Sequence, residues 1–354
     1  MDHVVVMAGG SGTRFWPESR ARRSKQFLDL TGRGPMIRET IRRLFPLLRR
    51  ENVWVVAGEK DAPHLSPRAL GIPGRNILLE PEGKNTAPAV ALAVAHIGRR
   101  DPDAVIAAAP ADHAVADERA FRALLGKGLR VAGRTGRFVT LGIPPNHPAT
   151  GYGYIERGNP FAGKEKDVHN VLRFTEKPDL ATARRFVKSG RFSWNSGVFL
   201  FRADTFRDRL ARFLPEVHAA IEEAFRSYGK REFPGRLRAA YRRVPSISID
   251  YGILEKERGI LVIPADFGWS DLGTWQSLHE FLGKQGENVT FGNVILLDCG
   301  NALVRADRGL VAVAGMEDVM VIRSGDAVLV CPQSRSEDVK RIAEEVRRRF
   351  PHLS

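Results

Sequence analysis

The chain predicts an α/β fold, a Rossmann-like, mostly parallel sheet followed by a small β-solenoid, and three observations carry that prediction. Short apolar runs alternate with longer amphipathic segments through the first two-thirds of the sequence, as strand–helix units of a parallel sheet do. The first apolar run empties into a glycine-rich loop, Gly9-Gly10-Ser11-Gly12, and open sheets of this kind bind ligands beyond the carboxyl ends of their strands. After about residue 285 short strands recur every eight to ten residues with turns between them, the period of a solenoid or roll.

Residues 4–7, 53–57, 76–79, 104–108 and 137–141 read as strands, each a short apolar run. Residues 36–49, 87–99 and 116–132 place apolar side chains at helical spacing. The stretch 152–267 is mixed. Extended pieces at 153–156, 171–175 and 197–201 enclose helical segments at 180–189, 203–213 and 215–228, and 248–257 reads as a further helix. In the tail, 294–297, 302–305, 310–314, 319–323 and 327–331 read as strands and 339–350 as a closing amphipathic helix. The tail shows no site chemistry, so capping and oligomer packing are its expected roles.

At 354 residues the chain has room for about two domains. It lacks an apolar run of membrane-spanning length, and Met1 leads directly into Val4-Val5-Val6 without a cationic leader, so a cytoplasmic protein is expected. Cys299 and Cys331 lie on separate apolar runs and read as small buried hydrophobes rather than a bridge or metal pair. The net charge of +14 raises the question of nucleic acid, but 43 of the 55 cations are arginines scattered over amphipathic faces such as Arg42-Arg43, Arg184-Arg185 and Arg347-Arg348-Arg349. Without a basic run interleaved with aromatics, these read as solvated helix faces, and no nucleic acid or membrane is expected as partner. The surplus can still steer anionic substrates inward.

Chemistry concentrates in a few segments. The glycine loop lets backbone N–H groups crowd around phosphate oxygens, and Arg14 and Lys25 follow as cations for a transferring phosphoryl group. Its spacing excludes a P-loop, because Thr13-Arg14 rather than Lys-Ser or Lys-Thr follows Gly12, and a dinucleotide fingerprint, because Phe15 stands at the third glycine's place. Asp112 follows an apolar strand, where a carboxylate suits a divalent ion between nucleotide oxygens. Asp271 sits among Gly268, Ser270 and Gly273 and between Trp269 and Trp275, unusual company for a surface turn. Glu80, at the end of an apolar run, offers a carboxylate that can accept two hydrogen bonds together, while Asn85-Thr86 reads as a helix N-cap. Tyr152-Gly153 allows close backbone approach beside a ring, and Glu176-Lys177 and Asn195 supply hydrogen-bond donors and acceptors together.

Gly9-Gly10-Ser11-Gly12-Thr13-Arg14-Phe15-Trp16-Pro17, with Ser19-Arg20 and Lys25-Gln26-Phe27, resembles the signature of sugar-1-phosphate nucleotidylyltransferases, and among them the mannose-1-phosphate guanylyltransferases. One departure is Ser24, where the family commonly has proline before the lysine. The resemblance implies a GT-A-like nucleotidyltransferase catalytic domain at 1–285 and a left-handed β-helix-like C-terminal domain at 286–354. It implies Asp112 and Asp271 as the Mg²⁺ pair, and Arg14 and Lys25 as the catalytic cations. It implies Ala8, Gly9, Gly10, Ser11, Gly12, Thr13, Glu80, Asn85, Thr86, Ala87 and Pro110 around the nucleotide. It implies Tyr152, Gly153, Glu176, Lys177 and Asn195 around the sugar phosphate. The expected reaction joins GTP and mannose 1-phosphate into GDP-mannose and pyrophosphate, in a homodimer. The alternatives are transfer of another nucleotide to another hexose phosphate, such as thymidylyl transfer to glucose 1-phosphate, and a non-catalytic homologue that binds a sugar nucleotide.

Overall fold

The apolar run at 4–7 lies inside strand β1 (Asp2–Ala8), where every residue from His3 onward is buried. A strand without alternation belongs in the middle of a sheet covered on both faces. Accordingly β1 runs between and parallel to β2 (Val53–Gly58) and β4 (Val105–Pro110), with Val4 opposite both Val53 and Ala107. The computed structural model describes every residue except Ser11, Ala21, Arg22, Lys164, Lys284, Gln285 and Ser354. It divides into two compact units that do not follow chain order. Unit 1 comprises Met1–Gly9, Ile41–Ala111 and Val115–Trp269, and unit 2 comprises Gly10–Thr40, Asp112–Ala114 and Ser270–Ser354.

The sheet of unit 1 has nine strands among the described residues, in the order β3 (Ile77–Glu80), β2, β1, β4, β8 (Phe192–Arg202), β5 (Val139–Ile143), β9 (Leu261–Pro264), β7 (His169–Thr175), β6 (Tyr154–Pro160). The first four are parallel, so Ala8, Glu80 and Pro110 all end strands on one edge of the sheet. Strand β8 runs against both β4 and β5. The helix Thr86–Gly98 is almost wholly apolar and packs into one core with Val5, Met7, Trp54, Val56, Ile106 and Ala108. Alternate strand residues thus share one face, as the pleat requires.

Several expected elements shift, for local reasons. The helix expected at 36–49 ends at Leu44, because Phe45 precedes Pro46 and the residue before a proline avoids the α region. The helix expected at 116–132 spans Glu118–Thr135, since Asp117 caps it through Ala120 N at 2.9 Å and Gly136 closes it at φ +63°. Residues 248–257 form only a single π turn, Asp250–Leu254. The helix Phe233–Arg243 and strand β9 were not anticipated: Pro234-Gly235 disguises the first, and the second is four residues long. No described helix is long and apolar enough to cross a membrane.

In unit 2, β10 (Val289–Leu297), β11 (Leu303–Ala314) and β12 (Val319–Ser324) run parallel, and β13 (Ala327–Pro332) turns back against β12. The expected strands 302–305 and 310–314 are one strand, β11. Asp307-Arg308-Gly309 resembles a turn but lies in a register slip of the β10–β11 ladder. One side of this roll packs Leu303, Met320, Ile322, Leu329 and Cys331 with Phe15, Trp16, Leu28, Leu30, Met36 and Trp275. A second small core joins Val304, Val319 and Val321 to Val294, Leu296, Val311 and Val313. Both cysteines are free; Cys331 is buried as expected, while Cys299 is only half-buried.

Candidate active site

In unit 2 one lysine organises the charge. Lys25 opens the 3₁₀ turn Lys25–Phe27, whose side chains are all buried. Its Nζ donates to Asp112 Oδ2 at 2.9 Å and to the backbone oxygen of Asp271 at 2.5 Å. Two residues 159 positions apart in sequence therefore meet on one ammonium. Gly12 makes room for this: its φ is +56°, and a Cβ there would stand 2.3 Å from Lys25 Cβ. Only glycine lets the loop lie against the lysine.

The turn that presents Asp271 is held on both sides. Asp271 Oδ1 accepts from Gly273 N at 3.0 Å, Leu272 is fully buried at φ +43°, and Thr274 caps the helix Trp275–Leu282 through a capping box. Trp275 Nε1 donates to the Trp16 oxygen at 3.0 Å, and its ring meets Phe15 edge-on at 4.9 Å. Phe15 and Trp16, just after the glycine loop, and Leu272 and Trp275 of the Asp271 turn thus share a core in unit 2. Arg14, in the turn Thr13–Phe15, donates to Glu337 Oε2 at 2.7 Å. Gly10, at φ +131°, also belongs to unit 2, whereas Ala8 and Gly9 end the β1 segment of unit 1. Ser11 lies outside the described residues.

Unit 1 carries the groups expected at base and sugar. Glu80 ends β3, is buried, and accepts from Tyr241 Oη at 3.1 Å. Asn85, exposed at φ +69°, caps the following helix by accepting from Thr86 N at 2.8 Å. Thr86 Oγ1 accepts from Ile249 N at 2.9 Å, and Ala87 N donates to the Ile247 oxygen at 3.1 Å, so this segment is pinned to residues 247–249. Pro110 ends β4 opposite Met7. At the groups expected around the sugar, Gly153 lies close against Glu176, whose Oε2 would have to move to admit a Cβ there. Asn195 N donates to the Gly153 oxygen at 2.8 Å, and Lys177 Nζ to Glu176 Oε1 at 2.5 Å. Tyr152 meets Trp194 and Trp269 edge-on at 5.1 and 5.3 Å.

Two residues absent from the sequence reading join these groups. Asp250 Oδ1 accepts from Asn195 Nδ2 at 3.0 Å, and Tyr241 holds Glu80. The signal for Asp250 was present: one acid within the apolar series Ile247, Ile249, Ile253 and Leu254. Electrostatics separate the clusters. Burial pushes the Asp112 carboxyl up, but the Lys25 ammonium beside it, with His113, holds it below the usual carboxylate range. Burial pushes Glu80 up to about 7 against the Tyr241 hydrogen bond. Burial and then the nearby Glu176 carboxylate push Asp250 to about 7 as well.

Comparison with known proteins identifies the family. A nucleotidyl transferase family model matches residues 3–287, and a model described as a MannoseP isomerase/GMP-like beta-helix domain matches 292–346. The mannose-1-phosphate guanylyltransferase of Escherichia coli K12 is 41% identical over 352 residues, which is 98% of this chain and 73% of that protein. The xanthan biosynthesis protein XanB of Xanthomonas campestris pv. campestris (strain B100) is 40% identical over 97% of this chain and 73% of its own length. A crystal structure from Thermus thermophilus, described as a mannose-1-phosphate geranyltransferase, superposes with a TM-score of 0.89 at 35% identity, covering 98% of this chain and 99% of that one. With the family model spanning most of the chain and such relatives along nearly all of it, the chain belongs to the nucleotidyl transferase family, among its mannose-1-phosphate guanylyltransferases.

Proposed function

We propose that the chain transfers GMP from GTP to α-D-mannose 1-phosphate, giving GDP-mannose and pyrophosphate. The observation that carries this reading is the single ammonium of Lys25 tied to both Asp112 and Asp271. A phosphate oxygen of mannose 1-phosphate attacks the α-phosphorus in line while the bond to pyrophosphate breaks. No general base is needed, because that phosphate is already ionised at neutral pH. Lys25 stabilises negative charge on the transferring group, and Arg14 does so once it leaves Glu337 for the pyrophosphate oxygens.

Asp112 and Asp271 are the residues that would hold Mg²⁺: their hard carboxylate oxygens suit that ion, which keeps most of its positions for water and phosphate. A divalent ion held there would supply positive charge to offset the negative charge of the reacting phosphates. The loop residues Ala8–Thr13, with Pro110, cradle the nucleotide. Ionised Glu80 accepts from the guanine edge, beside Asn85, Thr86 and Ala87. Tyr152, Gly153, Glu176 and Asn195 take the hexose hydroxyls, and Lys177 takes its phosphate. Along the chain, residues 1–285 form the catalytic domain and 286–354 the β-rich domain, a division supported by the two separate family matches.

Measuring pyrophosphate release over a panel of nucleoside triphosphates and hexose 1-phosphates tests the assignment. GTP with mannose 1-phosphate should give the highest kcat/KM, and a clear preference for another pair overturns it. Asp271→Ala should abolish release from that pair while the far-UV spectrum stays unchanged; near-normal turnover removes Asp271 from the reaction.

A further inference from the structure

We propose that the C-terminal roll is part of the catalytic apparatus, with Arg305 on β11 as a positioning residue for Lys25. Lys25 lies in the middle of the segment 18–30, and Arg305 ties both ends of that segment. Its Nε donates to Glu18 Oε1 at 2.8 Å and one Nη to Glu18 Oε2 at 3.3 Å. At the far end it donates to the backbone oxygens of Asp29 at 2.9 Å and Leu30 at 3.0 Å. The guanidinium is buried and stacks 4.2 Å from the centre of the Phe291 ring. Arginine's planar fork allows one side chain to serve a carboxylate and two carbonyls together, which a lysine cannot reproduce.

The same segment is fastened by other parts of the tail. Arg20 donates to the Ser324 oxygen at 3.1 Å and to Asp326 Oδ1 at 2.7 Å. Trp16 Nε1 donates to the Leu353 oxygen at 3.3 Å, and Leu28 and Leu30 share the core of Leu303, Met320 and Ile322. All of these residues belong to unit 2. A buried arginine that closes a loop at both ends sets the path of what lies between. Here that is the turn from which Lys25 reaches Asp112 and Asp271. The role of Lys25 in turnover rests on the proposed function; its placement by Arg305 does not.

The test uses the full chain with Arg305→Met, which keeps an apolar stem, and Glu18→Gln, which removes only the charged partner. Trace acetylation with acetic anhydride, read by mass spectrometry, reports Lys25 without any substrate. Lys25 should be protected in the parent and labelled several-fold faster in both variants, with other lysines unchanged. Pyrophosphate release should fall about 100-fold in kcat for Arg305→Met, with KM values moved little, as misplacement of a reacting group by an ångström would produce. Combined with Lys25→Ala, Arg305→Met should cost nothing further, because both changes remove the same interaction. If Arg305→Met does not fold, Glu18→Gln decides by the same readouts. Unchanged Lys25 labelling in a folded variant, or losses that multiply in the double variant, overturns the proposal. A parent inactive on GTP and mannose 1-phosphate overturns the proposed function instead, and the labelling then decides the placement alone.

Discussion

The two units set three carboxyls against burial in different ways. In unit 2, Asp112 is held ionised by a lysine at 2.9 Å, and burial is overruled. In unit 1, burial is likewise the largest influence on Glu80 and Asp250, but no cation outweighs it there, and both are pushed up to about 7. Groups placed to meet phosphate must keep their charge whatever arrives, so a fixed counter-ion suits them. Groups placed to recognise a neutral base or hydroxyl gain by being poorly solvated, because an unmatched partner then leaves a buried polar atom unsatisfied. On the proposed function, the difference teaches that charge stabilisation and selection fall to separately built clusters.

The comparison breaks first, if it is wrong, at Lys25. Lys25→Ala should lower kcat by about 100-fold with little change in KM if the ammonium acts on developing charge; a rise in KM alone would move it to the recognition side. Asp250→Asn sharpens the other half. It leaves a side chain that still meets Asn195 but offers one acceptor fewer, so kcat/KM for mannose 1-phosphate should drop about 10-fold, mostly through KM. A kcat effect with unchanged KM would place Asp250 with the reacting groups.

The smallest effect is in pH dependence. Glu80 titrates near 4.5 when unfolded and at about 7 when folded, so the folded state keeps its proton longer. The stability this confers is fully present below 4.5 and is lost as pH rises through 7, on the order of 3 kcal/mol in all. Urea unfolding at pH 5 and pH 8 should therefore show a smaller loss for Glu80→Gln than for the parent. Parallel losses in the two proteins would mean that burial does not govern this carboxyl.

Much of the fold was legible because periodicity is a local property. The strand at 4–7, the helix over 87–99 and the glycine loop all follow from residues close together in sequence. The meeting of Asp112 and Asp271 was expected from family resemblance alone, since no local pattern joins positions so far apart. Tyr241 escaped because its helix starts with Phe233-Pro234-Gly235, which reads as a turn. Asp250 escaped because a helix was expected where one π turn stands, and only the fold brings that turn against Asn195. Asn85, weighed as both cap and base contact, is observed as the cap. The tail was the least legible part: nothing in the sequence singles out Arg305 among 43 arginines, and only the packing of β11 buries it beside Glu18.

The bond between Arg305 and Glu18 spans 287 positions, and Trp16 finds the Leu353 oxygen 337 positions away. Contacts so distant in sequence close late and slowly. During synthesis the first thirty residues leave the ribosome long before the strands that fasten them exist. A nascent or prematurely stopped chain can therefore contain every letter of the nucleotidylyltransferase signature and still be unable to assemble it. In this protein strands far down the chain fasten a segment near its start.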